Sequence, residues 1–468
     1  MKGKILPGVL KTEGQKERKD RYGLLGETLL HSFSPEIHRE LGNDAYGLFP
    51  VKREMLSSFL RAADFSGLNV TIPYKQDVIP YLDGISEKAE RIGSVNTIVN
   101  RRGKLYGYNT DYAGLSYAAK RAGISFSGKK VLILGNGGTS LTARAAAQDG
   151  GAREIIVAFR HKKEAMADSW HEASPILEAP SHLERDSICA AVSYEQLSSH
   201  RDCEIIINAT PVGMFPKNGE RLIRLSDFPA CSGVIDVIYN PFRTALILDA
   251  KKRGIPCTNG LPMLVAQAKY ASDLFFGTAA DEEEACRGEV PDPKIERIAG
   301  LLSERLSNLV LIGMPGAGKS SIGRLLSERL QKSFLDLDQK IEEESGKSIP
   351  EIFSAEGEEG FRDRESRAAK EAGKLRSTVI AAGGGTVLRT ENMEALQQNA
   401  CLILIDRALS ALSTAGRPLS KDPETLRRMK EEREPLYRAF ADITVSNDQT
   451  AEACVEEILE KLKQTVIL

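Results

Sequence analysis

The chain lacks the marks of a secreted, membrane-spanning or nucleic-acid-binding protein. Its seven cysteines (Cys189, Cys203, Cys231, Cys257, Cys286, Cys401, Cys454) are odd in number, widely spaced and form no CxxC pair. That pattern suits neither a disulfide framework nor a zinc site and fits reduced thiols. Neither sign of charge is in excess, since 63 Lys and Arg stand against 65 Asp and Glu for a formal charge of -2. Nothing global therefore recommends nucleic acid or an anionic membrane as partner. No apolar run approaches the roughly 18 residues needed to cross a bilayer. The amino terminus is basic at first, but Pro7 and Gly8 break its short apolar stretch and Glu13, Glu17 and Asp20 follow, a poor signal or transit peptide. A cytoplasmic location is the expectation. Short-period repeats and low-complexity segments are missing too. No histidine follows His200, so any base chemistry in the later part of the chain falls to carboxylates.

What is present is ordinary globular composition on a long chain. At 468 residues, 41% hydrophobic and 27% charged with a mean hydropathy of -0.26, about three domains are expected at roughly 100 to 200 residues each. Short β-branched runs alternate with helical patterns: KKVLILG then TSLTARAAAQ, EIIVAF, CEIIINAT, GVIDVIY, and later NLVLIG then SSIGRLLSERL. Such alternation implies parallel sheets built from βαβ units. The segment TAADEEEACRGEVPDP, acidic and turn-rich, precedes Ile295, Ile298, Leu301 and Leu302 at helical spacing. It predicts a linker ending in a connecting helix over 278–306. A softer boundary falls at 123–130, where GISFSGKK precedes the run starting at Val131.

That run, Val131 to Leu134, leads into Gly135-Asn136-Gly137-Gly138-Thr139-Ser140 and an alanine-rich stretch. A strand, a tight turn and a helix amino terminus would let the backbone approach a pyrophosphate and aim N–H donors at it. Ser140 stands where a third glycine or alanine is expected, so a purely structural turn also fits the loop taken alone. The next strand runs into Arg160-His161-Lys162-Lys163. Cations there suit the additional phosphate of NADP, where an NAD site would favour an acidic residue; a solvated basic loop is the plain alternative.

Motifs around this loop are more specific. His31-Ser32-Phe33-Ser34-Pro35, Gly67 to Lys75 (GLNVTIPYK), Gly93 to Thr97 (GSVNT) and Asn109-Thr110-Asp111 precede it, while Asn208 to Met214 (NATPVGM), Asp236 to Pro241 (DVIYNP) and Gly260 to Gln267 (GLPMLVAQ) follow. In this order, over about residues 21–277, the series closely resembles shikimate dehydrogenase. The resemblance implies a substrate subdomain over 21–122, completed by a helix near 263–277, a Rossmann-type subdomain over 123–262, and an active site in the cleft between them. It implies that Ser32 and Ser34 hold the substrate carboxylate, and that Asn69, Thr71, Asn96, Asp111 and Gln267 read the ring hydroxyls, with Tyr239 also at the substrate. Gly135, Asn136, Gly137, Gly138, Thr139, Arg160, Gly260 and Met263 would hold NADP(H). Reduction of a ketone needs a proton donor near the developing alkoxide, and an ammonium beside a carboxylate can supply one; Lys75 and Asp111 are the candidates. The family's usual Asn-Arg-Thr opening of the cofactor-selecting loop is Phe159-Arg160-His161 here, so only Arg160 matches.

A second glycine loop, Gly313-Met314-Pro315-Gly316-Ala317-Gly318-Lys319-Ser320, fits GxxxxGK[ST] between the apolar run Leu309 to Ile312 and a helical pattern with Ile322, Leu325, Leu326 and Leu330 on one face. That placement is what a P-loop requires. Backbone amides from Gly313 to Ser321, with Gly316, Ala317 and Gly318 at the tip, would wrap the ATP phosphates. Lys319 would reach the β and γ phosphates and Ser320 would bind Mg2+. Then come Asp336-Leu337-Asp338, Gly357-Glu358, Phe361-Arg362, Glu365, Gly383-Gly384-Gly385, Arg417-Pro418-Leu419 and Arg433 before Tyr437. Over about residues 307–468 this order resembles shikimate kinase. The resemblance implies that Asp338 binds the acceptor hydroxyls and helps take the proton, Asp336 supports the metal, and Arg362 and Arg433 grip a carboxylate through directed hydrogen bonds. Gly384 and Gly385 would let backbone approach the ring, and Arg417 would cap the phosphates. The lid between Asp406 and Arg417 is shorter than the family's and lacks the arginine usually found inside it.

The fold expected is α/β: a two-subdomain dehydrogenase with a Rossmann-type NADP domain, followed by a P-loop kinase domain with a parallel sheet. The function expected is bifunctional, NADPH-dependent reduction of 3-dehydroshikimate followed by ATP-dependent phosphorylation of shikimate. Two rivals are a ligand sensor built from related domains and a quinate dehydrogenase fused to another small-molecule kinase. A sensor could dispense with Lys75, Asp111, Lys319 or Asp338, and all four are present. The partners expected are small-molecule substrates, with neither nucleic acid nor membrane; a homo-oligomer is compatible with the sequence and not indicated by it.

Overall fold

In a computed structural model, the chain is described over residues 21–29, 32–160, 189–412 and 423–464. The segment holding His161, Lys162 and Lys163, the lid residue Arg417, His31 and the amino-terminal 1–20 lie outside the described residues. Two compact units divide the rest: residues 21–110 with Tyr270–Ala285, and Asp111–Lys269 with 286–464.

The first unit is built on a mixed six-stranded sheet. Its order is Gly47–Pro50, Tyr22–Gly26, Gly67–Val70, Thr97–Arg101, Lys104–Tyr108, Gly84–Ile85. The first three strands run parallel, and the two pairings around Thr97–Arg101 are antiparallel. Leu25, Leu68, Val70, Tyr74, Val95 and Ile98 fill its core.

The second unit holds two wholly parallel sheets. One has the order Cys257–Thr258, Gly233–Asp236, Ile205–Asn208, Lys130–Leu134, Glu154–Phe159, Cys189–Ser193. In chain order this is the doubly wound 3-2-1-4-5-6 arrangement read from the far edge, and its switch point lies between Lys130–Leu134 and Ile205–Asn208. Val131 to Leu134 are buried on both faces, which is why the strand reads as an unbroken apolar run. The other sheet has the order Ser333–Asp336, Thr378–Ala381, Asn308–Ile312, Ala400–Asp406, Ile443–Ser446, all parallel. Its P-loop strand is central, and the helix Lys319–Leu330 behind it buries Ile322 and Leu326, with Leu325 and Leu330 packed at the margin.

The helix expected before the second sheet spans Pro293–Leu306. Asp292 caps it by accepting from the amides of Lys294 and Ile295, and Pro293 fits the first turn. Ile295, Ile298 and Leu302 are buried, whereas Leu301 is 36% exposed. The buried face of this helix is made by Ile295, Ile298, Ala299, Leu302 and Ser303, and Leu301 falls outside that stripe. Glu296 fixes this helix to Thr110–Arg121, accepting two hydrogen bonds from Arg121 at 2.7 and 2.8 Å and one from the Tyr117 hydroxyl at 2.7 Å.

One buried carboxyl carries a pH signature. Asp236 closes its strand with no solvent exposure and accepts from Thr244 Oγ1 at 2.6 Å, Asn208 Nδ2 at 3.0 Å and the amide of Ile238 at 3.1 Å. Burial outweighs these donors and pushes its carboxyl up from 3.8 to about 7. Through that window the folded chain keeps a proton that the unfolded chain has released, so stability is greatest below it and falls as pH rises through about 7. Asp236→Asn keeps the acceptor for Asn208 and Ile238 and can donate to Thr244. Thermal melts from pH 5 to pH 8 should therefore show a fall in Tm for the unmodified protein and a visibly flatter profile for the variant. Parallel profiles would assign the slope to other groups.

Candidate active sites

In the first unit the predicted polar residues converge through hydrogen bonds that the motifs do not announce. Ser34 opens the helix Ser34–Glu40, and its amide donates to Ser32 Oγ at 3.1 Å. The Asn69 carboxamide lies at the end of Gly67–Val70, where its Oδ1 accepts from Tyr46 at 2.7 Å and meets His38 Nε2 at 3.0 Å. His38 stacks on Tyr46 with ring centroids 3.8 Å apart. Burial drives His38 down to about 3, so the neutral ring donates from Nε2 while Nδ1 is buried with no partner among the described residues. With both donors on Oδ1, Asn69 presents Nδ2 on its other side, 3.3 Å from Thr97 Oγ1. Thr97 lies 3.1 Å from Thr110 Oγ1, and Asn96 accepts the Thr110 amide at 2.7 Å. Asn69 and Asn96 thus belong to one buried network whose linking members, His38, Tyr46, Thr97 and Thr110, had no assigned role in the sequence reading. Thr71 and Lys75 follow on the turn beyond the strand, where the Tyr74 hydroxyl anchors to Val51 O at 2.6 Å and the Lys75 carbonyl accepts the Val95 amide at 2.8 Å.

In the doubly wound part of the second unit, Gly135 follows the central strand with φ 102°, and a Cβ there would lie 2.8 Å from Thr210 Cγ2. A side chain is excluded on both counts. Asn136 and Gly137 complete the turn, and the helix Gly138–Asp149 begins with Gly138 and Thr139. Ser140 is buried in its first turn, so the place of the missing glycine is taken by a short side chain packed inward. Arg160 is exposed just beyond Glu154–Phe159. The helix Gly260–Phe276 starts where the Gly260 amide donates to Ile238 O at 2.9 Å. It carries buried Met263 and Gln267, whose Nε2 donates to Leu264 O at 2.8 Å. Asp111 is buried in the first turn of Thr110–Arg121. A Cβ on Gly114 would lie 2.6 Å from Met263 O and 3.1 Å from Gln267 Cβ, so the helices carrying Asp111 and Gln267 touch backbone to backbone. Tyr239 is partly buried beyond Gly233–Asp236, and burial raises its hydroxyl above the ordinary value.

The P-loop part brings most of its predicted residues to one place. Lys319 is buried and donates to Gly313 O at 2.9 Å and Met314 O at 3.0 Å. Gly316, Ala317 and Gly318 form the turn, with Asn447 Nδ2 donating to Ala317 O at 2.7 Å, and Ser320 and Ser321 stand exposed at the helix start. Ser320 Oγ donates to Asp336 Oδ2 at 2.5 Å, while Asp336 Oδ1 accepts the amides of Asp338 and Gln339 at 3.0 and 3.3 Å. A hydroxyl and a carboxylate oxygen are the hard donors Mg2+ takes alongside phosphate oxygens and water, so this pair fits the ion.

The acceptor residues surround the glycine triplet. A Cβ on Gly383 would lie 2.8 Å from both Asp338 Oδ1 and Glu365 Oε1, and one on Gly384 would lie 2.6 Å from Pro315 of the P-loop. Arg362 donates to Glu365 Oε2 at 2.8 Å and to Glu358 at 3.2 Å. Burial opposes its charge, but the two glutamates outweigh burial and hold the guanidinium above its ordinary value. Glu365 in turn accepts from Thr386 Oγ1 at 2.7 Å. Arg433 donates to Gly384 O at 3.1 Å, Tyr437 donates to the same oxygen, and Arg433 Nε is buried without a partner among the described residues. Glu365, Thr386 and Tyr437 therefore serve the site as braces. Arg407, at the start of the shortened lid, lies 3.4 Å from Gly316 O.

Fold and sites together define a doubly wound dinucleotide-binding enzyme joined to a P-loop phosphotransferase. Comparison with known proteins gives each part its family. A family model for the shikimate dehydrogenase substrate binding domain matches residues 24–98, and one for shikimate kinase matches 315–463. Shikimate dehydrogenase (NADP(+)) of Caldanaerobacter subterraneus subsp. tengcongensis is 36% identical over 282 residues, 58% of this chain and 97% of that protein. The enzyme of the same name from Halothermothrix orenii is 38% identical over 268 residues, 54% of this chain and 90% of that protein. Among solved structures, shikimate dehydrogenase 1 of Peptoclostridium difficile aligns with TM-score 0.50 at 34% identity, over 60% of this chain and 97% of that one. A chorismate mutase/shikimate 5-dehydrogenase fusion from Clostridium acetobutylicum aligns with TM-score 0.50 at 30% identity, over 60% and 96%. The chain belongs to the shikimate dehydrogenase family and continues into a shikimate kinase domain, so one polypeptide carries two enzymes of the shikimate pathway.

A Cβ on Gly385 would lie 2.1 Å from Arg362 Nη1 and 2.5 Å from Nη2, so Gly385→Ala must displace the guanidinium from the acceptor cluster. Steady-state phosphoryl-transfer kinetics should show KM for the acceptor rising about tenfold, the scale of one charge-assisted hydrogen bond. KM for ATP should change little, and a rise in KM for ATP alone would place Arg362 elsewhere.

Proposed function

We propose that the chain reduces 3-dehydroshikimate to shikimate with NADPH and then transfers a phosphoryl group from ATP to shikimate, giving shikimate 3-phosphate. The observation that carries this reading is the cluster of Asp338, Arg362, Glu365 and Gly383 beside P-loop residue Pro315. A P-loop alone gives nucleotide binding; a carboxylate and a guanidinium around a glycine triplet give an acceptor that has both hydroxyls and a carboxylate.

When bound, NADPH supplies the hydride, ATP the phosphoryl group and Mg2+ charge neutralisation between the phosphates. The chain's own groups do the rest. In the first reaction Ser32 and Ser34 hold the substrate carboxylate, and the oriented Nδ2 of Asn69, with Thr71, Asn96, Gln267 and Tyr239, reads the hydroxyls. Lys75 Nζ would give its proton to the developing alkoxide oxygen, and the Asp111 carboxylate would accept a hydrogen bond from a ring hydroxyl. Gly135 to Thr139, Gly260 and Met263 form the cofactor cradle. Arg160, exposed at the end of the second strand of a 3-2-1-4-5-6 sheet, supports NADPH over NADH, as do relatives named for NADP(+).

In the second reaction Lys319 would donate to phosphate oxygens of ATP, and Ser320 with Asp336 would hold the metal. Asp338 orients the acceptor hydroxyl and helps take its proton. Arg362 binds the acceptor carboxylate together with Arg433, whose unpartnered Nε is a donor held for it. Arg417 caps the transferring phosphate. A cytoplasmic location belongs to the same proposal, supported by seven cysteines none of which forms a disulfide. No described helix is long and apolar enough to cross a membrane.

Incubation of the purified protein with 3-dehydroshikimate, NADPH and Mg-ATP, with products identified by mass spectrometry, should yield shikimate 3-phosphate. Lys75→Ala should lower NADPH oxidation by about 100- to 10,000-fold and leave phosphorylation of supplied shikimate intact. Lys319→Ala should do the reverse. Either variant retaining its own reaction would remove that lysine from the mechanism.

A further inference from the structure

The loop between Gly233–Asp236 and the helix Ala245–Lys252 carries Tyr239, and its later residues are held by the kinase part of the second unit. The Phe242 amide donates to Asn399 Oδ1 at 3.0 Å, and the Arg243 amide donates to Gln398 O at 2.9 Å. Arg243 Nη1 stands 3.8 Å from Asp442 Oδ2, which itself accepts the Leu402 amide at 2.8 Å. Phe242, Arg243, Gln398 and Asn399 are all buried. Asn399 is fixed from its own side, since its Nδ2 donates to Gly373 O at 3.3 Å and its carbonyl accepts the Asn308 amide at 2.8 Å. It therefore presents a stationary acceptor to Phe242.

The bonding continues into the dehydrogenase. Phe242 O accepts from Asn259 Nδ2 at 2.7 Å, and Asn259 Oδ1 accepts the Leu261 amide at 3.0 Å, satisfying one of the first free donors of the helix Gly260–Phe276. That helix carries Met263 and Gln267. A buried chain of hydrogen bonds thus runs from the Asn399 side chain, through the amide and then the carbonyl of Phe242 and the side chain of Asn259, to the amino end of the helix that holds residues of the proposed dehydrogenase site. The hydrogen bonds described for Asn399 go to Phe242, Gly373 and Asn308 and to no residue of the acceptor cluster or the P-loop, and a backbone amide buried at Phe242 would otherwise be left unsatisfied.

We propose that Asn399, a residue of the kinase half, is a positioning residue for the dehydrogenase reaction: it sets the Phe242 loop and, through Asn259, the entry of the helix bearing Met263 and Gln267. This rests on the dehydrogenase reading above, and the two can fail separately. Absence of NADPH-dependent reduction in the unmodified full-length protein would sink that reading, whereas the present proposal is judged only on variants of an active enzyme.

The experiment compares full-length Asn399→Ala and Asn399→Asp with the unmodified protein in both reactions. Asn399→Ala should raise dehydrogenase KM for NADPH and 3-dehydroshikimate about fivefold, the scale of one buried hydrogen bond. Its dehydrogenase kcat and both kinase constants should stay within about twofold. Asn399→Asp keeps an acceptor for the Phe242 amide but loses the donor to Gly373 O, so it should bring the dehydrogenase KM part of the way back from the alanine value. Asn259→Ala should show the same KM rise, and Asn399→Ala combined with it should add little, because both break one chain. Should Asn399→Ala not fold, Asn399→Ser, which shortens the side chain and withdraws the acceptor, carries the same comparison with Asn399→Asp. Unchanged dehydrogenase KM in the folded alanine or serine variant, equal losses in both reactions, failure of aspartate to rescue, or full additivity with Asn259→Ala would each overturn the proposal.

Discussion

Both halves of the second unit depend on strands that are buried on two faces and run parallel. Such strands leave no polar surface along their length, so chemistry is confined to their carboxyl ends, where amides emerge unpaired. Gly135 after Lys130–Leu134 and Gly313 after Asn308–Ile312 stand at those ends. Everything nearby is arranged around keeping them open. Thr210 occupies the space a Gly135 side chain would need, and Asn447 ties back the Ala317 carbonyl so that the P-loop keeps its curl. Lys319 is buried and donates to the carbonyls of its own loop.

Around this constraint the polar residues fall into two kinds. Those proposed to face ligands, such as Asn69 and Arg362, are held by others that are not. Asn69 is turned by His38 and Tyr46; Arg362 is aimed by Glu365, itself braced by Thr386. Such braces cost desolvation and return fixed geometry, which is the quantity a reaction step needs most. Asp336 combines both kinds in one carboxylate, with one oxygen capping the helix that holds Asp338 and the other bonded to Ser320.

The residues proposed to face ligands could be named from the sequence because they sit in short motifs dense in glycine and proline. It also gave the two parallel sheets, since strands buried on both faces read as unbroken apolar runs. The braces were hidden for a geometric reason. His38 lies 31 positions from Asn69, Thr386 lies 21 from Glu365, and Phe242 lies 157 from Asn399. A single chain carries no local trace of partners so far apart. Leu301 and Leu302 both fit the helical spacing, and only packing against a real surface decides that Leu302 is buried and Leu301 exposed. Ser140 read as a defect in the glycine pattern and is instead a small buried residue in the first helical turn.

The seam where Phe242 and Arg243 meet Gln398 and Asn399 has a consequence for how such a gene can evolve. Two enzymes that merely share a transcript can be parted again by a new stop and start codon at no structural cost. Here fission would part the Phe242 amide from its Asn399 acceptor and Arg243 from Asp442, opening to water faces that are buried in the joined chain. Each fragment would need compensating substitutions before it was as sound as the whole. The fusion thus acts as a ratchet: it fixes the two activities at one copy each per polypeptide and leaves turnover, not expression, as the means of adjusting one against the other.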